Sequence, residues 1–240
     1  MSDSAKWPKT FPELSKEKKW ISNDFVHYWH TVLPKNYTFI EYFNNNYVIK
    51  NTPFAFTKTL EIGAGLGEHL FYEKLSTNQR KNYITLELRE NMAERIRSNH
   101  PDIQVLIGDC QKMIPARDHE FDRIIAIHVL EHLPNLPEAI KEIYRVCNKR
   151  NGFFSVVIPC ERGLVYSLAR KVSAQRIFEK KYKQSYKWFI EREHVNVPKE
   201  ILEEITPYFE LESQEFFPFN FLPFIWCNLC IGLTFKPRIN

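Results

Sequence analysis

The run Leu60-Glu61-Ile62-Gly63-Ala64-Gly65-Leu66-Gly67 sets three glycines on alternate positions directly after an apolar stretch. Glycines placed there let the chain turn tightly and let a ligand press against bare backbone. Glu87 follows Gly63 by 24 residues. That is close to the spacing of about 20 at which an acid meets ribose hydroxyls in nucleotide-binding βαβ units. Asp109, in Ile107-Gly108-Asp109-Cys110, offers a carboxylate to an adenine amino group. His194, in Ile190-Glu191-Arg192-Glu193-His194-Val195-Asn196, is the first candidate general base, and His128 the second. An imidazole with its ordinary pKa of about 6.5 suits proton transfer near neutrality. Cys227 and Cys230 form a lone CxxC. A structural zinc site needs about four ligands and no second pair is present, so no metal is expected.

These groups need a frame, and the pattern of apolar residues supplies one. Thr57–Ile62, Tyr83–Leu86, Ile103–Ile107, Phe121–Ile127 and Phe153–Ile158 read as five strands. Helices are expected between them, from about Gly67 to Leu75, over Asn91–Asn99 and over Pro137–Cys147. In the last of these, Ile140, Ile143, Tyr144 and Cys147 share one face. Strands alternating with helices at this spacing imply a parallel sheet with helices on both faces. The glycines, Glu87 and Asp109 then fall in order at the carboxyl ends of the first three strands, where open α/β sheets bind ligands.

Outside this core the alternation stops. Residues 1–20 read as polar and peripheral. A helix capped by Asn23 or Asp24 is expected to run to about Leu33, where Pro34 stops it, and 36–56 reads as an aromatic, Asn-rich connector or cap. Residues 160–200 read as a helical, basic and aromatic insertion. Phe209–Phe216 and Asn228–Phe235 are expected to close the sheet as a hairpin. The expected organisation is an N-terminal helical cap over 1–56 and a main domain over 57–240, with a lid insertion at about 160–200.

With these residues in place the chain resembles the class I S-adenosylmethionine-dependent methyltransferases, over roughly residues 57–160. LEIGAGLGEHL is similar to the family's first motif, YITLELRENM to its second-strand acid and LIGDCQKM to its adenine-side acid. VLEHL is a phrase common in the branch that methylates small molecules and lipids. The resemblance implies a Rossmann-like seven-stranded, mostly parallel sheet with the last strand antiparallel. It also implies S-adenosyl-L-methionine as cofactor. Glu61, Gly63, Ala64 and Gly65 would line its methionine and ribose side, Glu87 would hold the ribose and Leu88 would pack on adenine. Asp109 and Cys110 would hold adenine, and His128 would contact the cofactor or face the substrate. Glu131 and His132 would hold a loop. A nicotinamide dehydrogenase would show GxGxxG, whereas this chain reads GxGxG, with Glu68 in place of the third glycine.

Bulk properties narrow the acceptor. The chain is 44% hydrophobic, which suits a packed globular protein, and its net charge of +4 is too slight to demand an anionic partner. Five scattered cysteines argue for a reducing, cytoplasmic setting. The longest apolar stretch, Leu222 to Leu233, is too short for a bilayer span of about 20 residues. It remains compatible with a peripheral membrane contact. Arg170, Lys171, Arg176, Lys180, Lys181, Lys183, Lys187 and Arg192 could hold an anionic substrate or form a solvated helix. A small-molecule or lipid- or glycan-linked acceptor, methylated on oxygen by in-line displacement, is the leading expectation, with the protein a monomer or homodimer. A nucleic-acid substrate is not expected. The alternatives are an RNA or protein methyltransferase and a non-catalytic cofactor-binding protein.

Overall fold

A computed structural model describes residues 6–32, 38–52 and 55–239. Seven strands form one sheet: β1 Thr59–Ile62, β2 Tyr83–Glu87, β3 Gln104–Ile107, β4 Arg123–Ile127, β5 Phe153–Pro159, β6 Phe209–Phe217 and β7 Cys230–Pro237. Their order is β3-β2-β1-β4-β5-β7-β6. β7 pairs antiparallel with both β5 and β6, and the pairings among the first five strands are parallel. The expected architecture is therefore met, including the reversed final strand. β1 and β2 are buried along their whole length, as strands covered on both faces must be. The strand order reverses between β1 and β4, and the crevice at their carboxyl ends is where a ligand fits.

The helices are α1 Lys16–Thr31, α2 Thr38–Lys50, α3 Thr77–Lys81, α4 Glu90–Asn99, α5 Leu136–Val146, α6 Leu164–Arg170, α7 Arg176–Tyr182, α8 Lys187–Glu193 and α9 Pro198–Ile205. α5 buries Leu136, Ala139, Ile140, Ile143 and Val146, the stripe that its periodicity predicts. Other boundaries differ from expectation. α1 begins well before Asn23, because the Ser15 hydroxyl caps it by accepting from the Lys18 N–H. Its expected stop at Leu33 and Pro34 lies outside the described residues. The stretch read as a connector or cap is largely α2, whose Tyr47 and Val48 pack on the sheet, as a cap would. After the glycines the chain makes only a single turn of 3-10 helix, His69–Phe71. With three glycines at its start, the segment lacks the backbone bias for a longer helix.

Residues 6–14 are mostly exposed, but Trp7 and Lys9 tie them to the rest of the fold. Trp7 packs on the main core and its indole N–H donates to Glu204. Lys9 pairs with Glu200. Helices α1, α7 and α8 build a second, smaller core from Ile21, Phe25, Phe178, Tyr186, Phe189 and Ile190. Phe25 stands edge-on to four rings of the insertion, Phe178, Tyr182, Tyr186 and Phe189. The N-terminal helix and the insertion thus pack as one body beside the sheet. Among the described residues, no helix is long and apolar enough to cross a membrane.

Candidate active site

A cavity of about 630 Å³ opens at the carboxyl ends of the central strands. Gly63 and Gly65 line it, at φ +64° and +58°, in the left-handed region that an L side chain resists. A Cβ at Gly63 would come within 2.6 Å of Val129 Cγ2, so the turn has no room for a side chain. Glu87, 5% exposed, holds this turn: its Oε2 accepts the Gly65 N–H and its Oε1 the Arg89 N–H, each at 3.0 Å. Asp109 Oδ1 accepts both the backbone and side-chain N–H of Gln111 at 2.9 Å. No donor among the described residues reaches its Oδ2.

Gly63, Gly65, Glu87, Leu88, Asp109, Cys110, His128 and His194 all line this one cavity. Leu88 is exposed, as a residue awaiting a flat ring would be, and burial pushes the Cys110 thiol up to about 12. Glu61 and Ala64 lie outside its wall, against expectation. Strand alternation turns Glu61 to the opposite face of β1, where it accepts the Tyr83 hydroxyl at 2.8 Å and is buried enough to raise its pKa. Ala64 packs with Leu70, Tyr83, Ile96 and Ile103. Glu61 belongs to a polar layer beneath the site that also holds the His69–Glu73 and Arg123–Glu73 contacts.

At the other end of the cavity stands a group of imidazoles and carboxylates. His128 sits at the end of β4 with φ +52°, and its Nδ1 donates to Glu131 Oε1 at 3.1 Å. Burial works to lower the His128 pKa, but contacts to Cys230 and Glu131 leave it well above the usual histidine value. Burial works to raise Glu131, yet His128, His132 and His194 bring it down to about 2. Burial brings His132 down to about 4. His194 Nδ1 meets Glu161 Oε1 at 2.5 Å, and Glu161 is also paired with Arg170 at 2.9 Å. The cavity wall continues through Trp29, Tyr166, Ala169, Arg170 and Tyr186.

Sequence reading missed Glu161 and Tyr166, and took Arg170 only as one cation of the basic insertion. Glu161 follows β5 at the same strand-end position that marks Glu87 and Asp109, so the same rule applied once more finds it. Of the aromatic side chains in the two flanks, Trp29 and Tyr186 line the cavity. Tyr28 stacks on Phe25, Trp188 packs on Phe178, Tyr42 is exposed, and Tyr37 lies outside the described residues. Within the basic insertion, Arg170 pairs with Glu161 and Lys181 with Asp24, so part of that charge is spent inside the fold.

The site fits a nucleoside-bearing, zwitterionic cofactor. Asn44 lines the cavity and its buried Oδ1 has no partner among the described residues. An ammonium group would supply one. Glu87 and the Asp109 Oδ2 offer acceptors for ribose hydroxyls and an adenine amino group, and the glycine turn leaves bare backbone between them.

Sheet order, glycine turn and paired strand-end acids together define a class I S-adenosylmethionine-dependent methyltransferase fold. A family model described as "Methyltransferase domain" matches residues 60–156. The domain match and the shared fold support a class I S-adenosylmethionine-dependent methyltransferase, an enzyme with S-adenosylmethionine as its cofactor. Among solved structures it is similar to the PH0226 protein of Pyrococcus horikoshii, at 16% identity and TM-score 0.63, over 88% of this chain and 99% of that one. It is also similar to a Thermotoga maritima S-adenosylmethionine-dependent methyltransferase described as a possible histamine N-methyltransferase, at 18% identity and TM-score 0.62, over 92% and 98% of the two chains. A TehB-like methyltransferase of Corynebacterium glutamicum matches at 16% identity and TM-score 0.58, over 92% of this chain and 100% of that one. No curated protein matches the sequence.

Proposed function

We propose that the enzyme methylates a hydroxyl oxygen on an apolar small-molecule or lipid-linked acceptor. One observation carries this reading: the acceptor end of the cavity is walled by Trp29, Tyr166 and Ala169, yet holds buried polar atoms with no partner among the described residues. These are Arg170 Nε, Tyr186 OH and Glu131 Oε2. Buried polar atoms are costly unless satisfied, so an acceptor with oxygen functions on an apolar body fits them.

S-adenosylmethionine supplies an electrophilic methyl group. In this proposal Gly63, Gly65, Glu87, Asp109 and Asn44 hold its nucleoside and amino-acid ends. Tyr186 and Arg170 orient the acceptor's oxygens. The His132–His194 pair stands where the hydroxyl loses its proton, with Glu161 fixing the His194 ring. The N-terminal helices and residues 160–200 form the cover that excludes water. Holding two reactants in register and dry can supply about 7–11 kcal/mol of a barrier.

The outer face of the insertion supports a membrane-borne acceptor. Leu164, Leu168 and Val172 form an exposed stripe at helical spacing, while Tyr166, Ala169 and Arg170 on α6 face the cavity. The segment before β7 packs on α6 and exposes Phe221, Phe224 and Trp226. Such contiguous apolar exposure beside a cavity mouth suits contact with lipid. The test is incubation with methyl-labelled S-adenosylmethionine and three acceptor pools: membrane lipid extract, aqueous metabolites and RNA. Label released from the product by ether-cleaving but not ester- or amine-directed chemistry, in the lipid pool, is the expected result. Labelling confined to RNA would overturn it.

A further inference from the structure

We infer that Glu131, His132 and His194 form a binding site for one divalent transition-metal ion, such as zinc or manganese, at the acceptor end of the cavity. This rests on the methyltransferase reading only for the ion's use, not for its binding.

One ligand atom from each of the three residues lies within 4.8 Å of the others. The hydrogen bonds behind them set which atoms are available. His132 Nδ1 lies 2.6 Å from the Glu193 carbonyl oxygen, which can only accept, so that nitrogen carries the proton. His194 Nδ1 lies 2.5 Å from a Glu161 carboxylate oxygen, so it too is the protonated nitrogen. In a neutral ring the lone pair is then on Nε2, in both histidines. Rings whose Nδ1–H is held by a carbonyl or carboxylate are the usual arrangement behind a metal-bound imidazole. Glu131 completes the set. His128 holds its Oε1, while its Oε2 is buried with no partner among the described residues. The side chain is 1% exposed, so solvent does not satisfy that oxygen.

Two imidazoles and one carboxylate with an open position make a donor set used for catalytic zinc and for other first-row divalent ions. Bonds of about 2.0–2.2 Å would bring the ligand atoms to roughly 3.4 Å from one another, a closure of at most about 1.4 Å from their present limit of 4.8 Å. All three residues line the same cavity as the cofactor-side groups, so the open position faces the acceptor. There the ion would bind the acceptor's hydroxyl oxygen and lower its pKa. The O–H bond would break, its proton leaving to solvent at the cavity mouth before the cover closes; the oxygen's electron pair would then form the O–CH3 bond as the sulfonium's C–S bond breaks and neutral S-adenosylhomocysteine leaves. The His132–His194 pair thus serves proton removal through the cation. Glu161, held by Arg170, acts as a positioning residue for His194.

The test uses the full chain stripped with EDTA and titrated with zinc and manganese by calorimetry, and with cobalt by visible absorption. One equivalent with a micromolar or lower dissociation constant is expected, with cobalt d–d bands indicating nitrogen and oxygen ligands. His194→Ala and Glu131→Gln should each weaken binding at least thirtyfold. Glu161→Gln should weaken it less, about three- to tenfold. Cys227→Ser should leave it unchanged. S-adenosylhomocysteine affinity, measured on the same samples, reports whether each variant is folded and tests the methyltransferase reading separately. If the wild-type chain binds S-adenosylhomocysteine but no metal, the cation site is refuted and the methyltransferase reading stands. Metal binding that survives His194→Ala, or is lost in Cys227→Ser, would also refute it.

Discussion

Glu87→Gln is the substitution whose effects the structure predicts most fully. Glu87 uses both oxygens on backbone: one holds the Gly65 N–H, the other the Arg89 N–H, each at 3.0 Å in a buried setting. Glutamine keeps one acceptor oxygen and turns the other into an NH₂ group. One of the two N–H groups then faces a donor and loses its partner. A buried unsatisfied donor costs about 1–3 kcal/mol. At about 2–4 °C per kcal/mol for a chain of this size, the melting temperature should fall by roughly 2–12 °C. The same change removes the charge offered to the ribose. A hydrogen bond to a charged group contributes about 1.5–3 kcal/mol, so S-adenosylhomocysteine affinity should fall about ten- to a hundredfold. Scanning calorimetry without ligand and titration calorimetry with S-adenosylhomocysteine separate the two effects. A lower melting temperature with an unchanged dissociation constant would reduce Glu87 to a turn-holding residue. No change in either would refute the account of the turn.

Two further outcomes follow from the glycine turn and the flanking helices. Gly63→Ala should all but abolish S-adenosylhomocysteine binding, because it adds about 1–2 kcal/mol of left-handed strain and sets Cβ 2.6 Å from Val129. In the double variant Gly63→Ala/Val129→Ala, binding should return only in part, because the strain at φ +64° persists; full recovery would show that the turn tolerates a side chain. For the proposed cover, hydrogen exchange with and without S-adenosylhomocysteine should show added protection in α1 and α6–α8 as well as at residues 63–67. These flanks share a small core separate from the sheet's, so they can open without it. Protection limited to the turn would remove them from that role.

The sequence by itself determined the sheet and which side chains gather at its carboxyl edge. Short buried strands alternating with amphipathic helices leave few ways to fold, and the glycines, Glu87 and Asp109 are local to strand ends. Their meeting at one cavity follows from backbone position alone, because the carboxyl edge of a parallel sheet gathers them whatever the loops do. Glu61 shows the limit even here. A motif names it with the glycines, but strand alternation turns it to the other face.

The acceptor half was decided by tertiary structure. His132 and His194 are 62 positions apart, and their rings meet at 4.9 Å because α8 folds back over the loop after β4. Glu161 and Arg170 complete that corner from a third segment. No spacing rule links residues from three separate loops. Their meeting depends on Phe25 of α1 locking into the rings of α7 and α8, a contact between segments about 150 residues apart. Packing of that kind is set by shape and burial, which a linear pattern of apolar residues signals but does not orient.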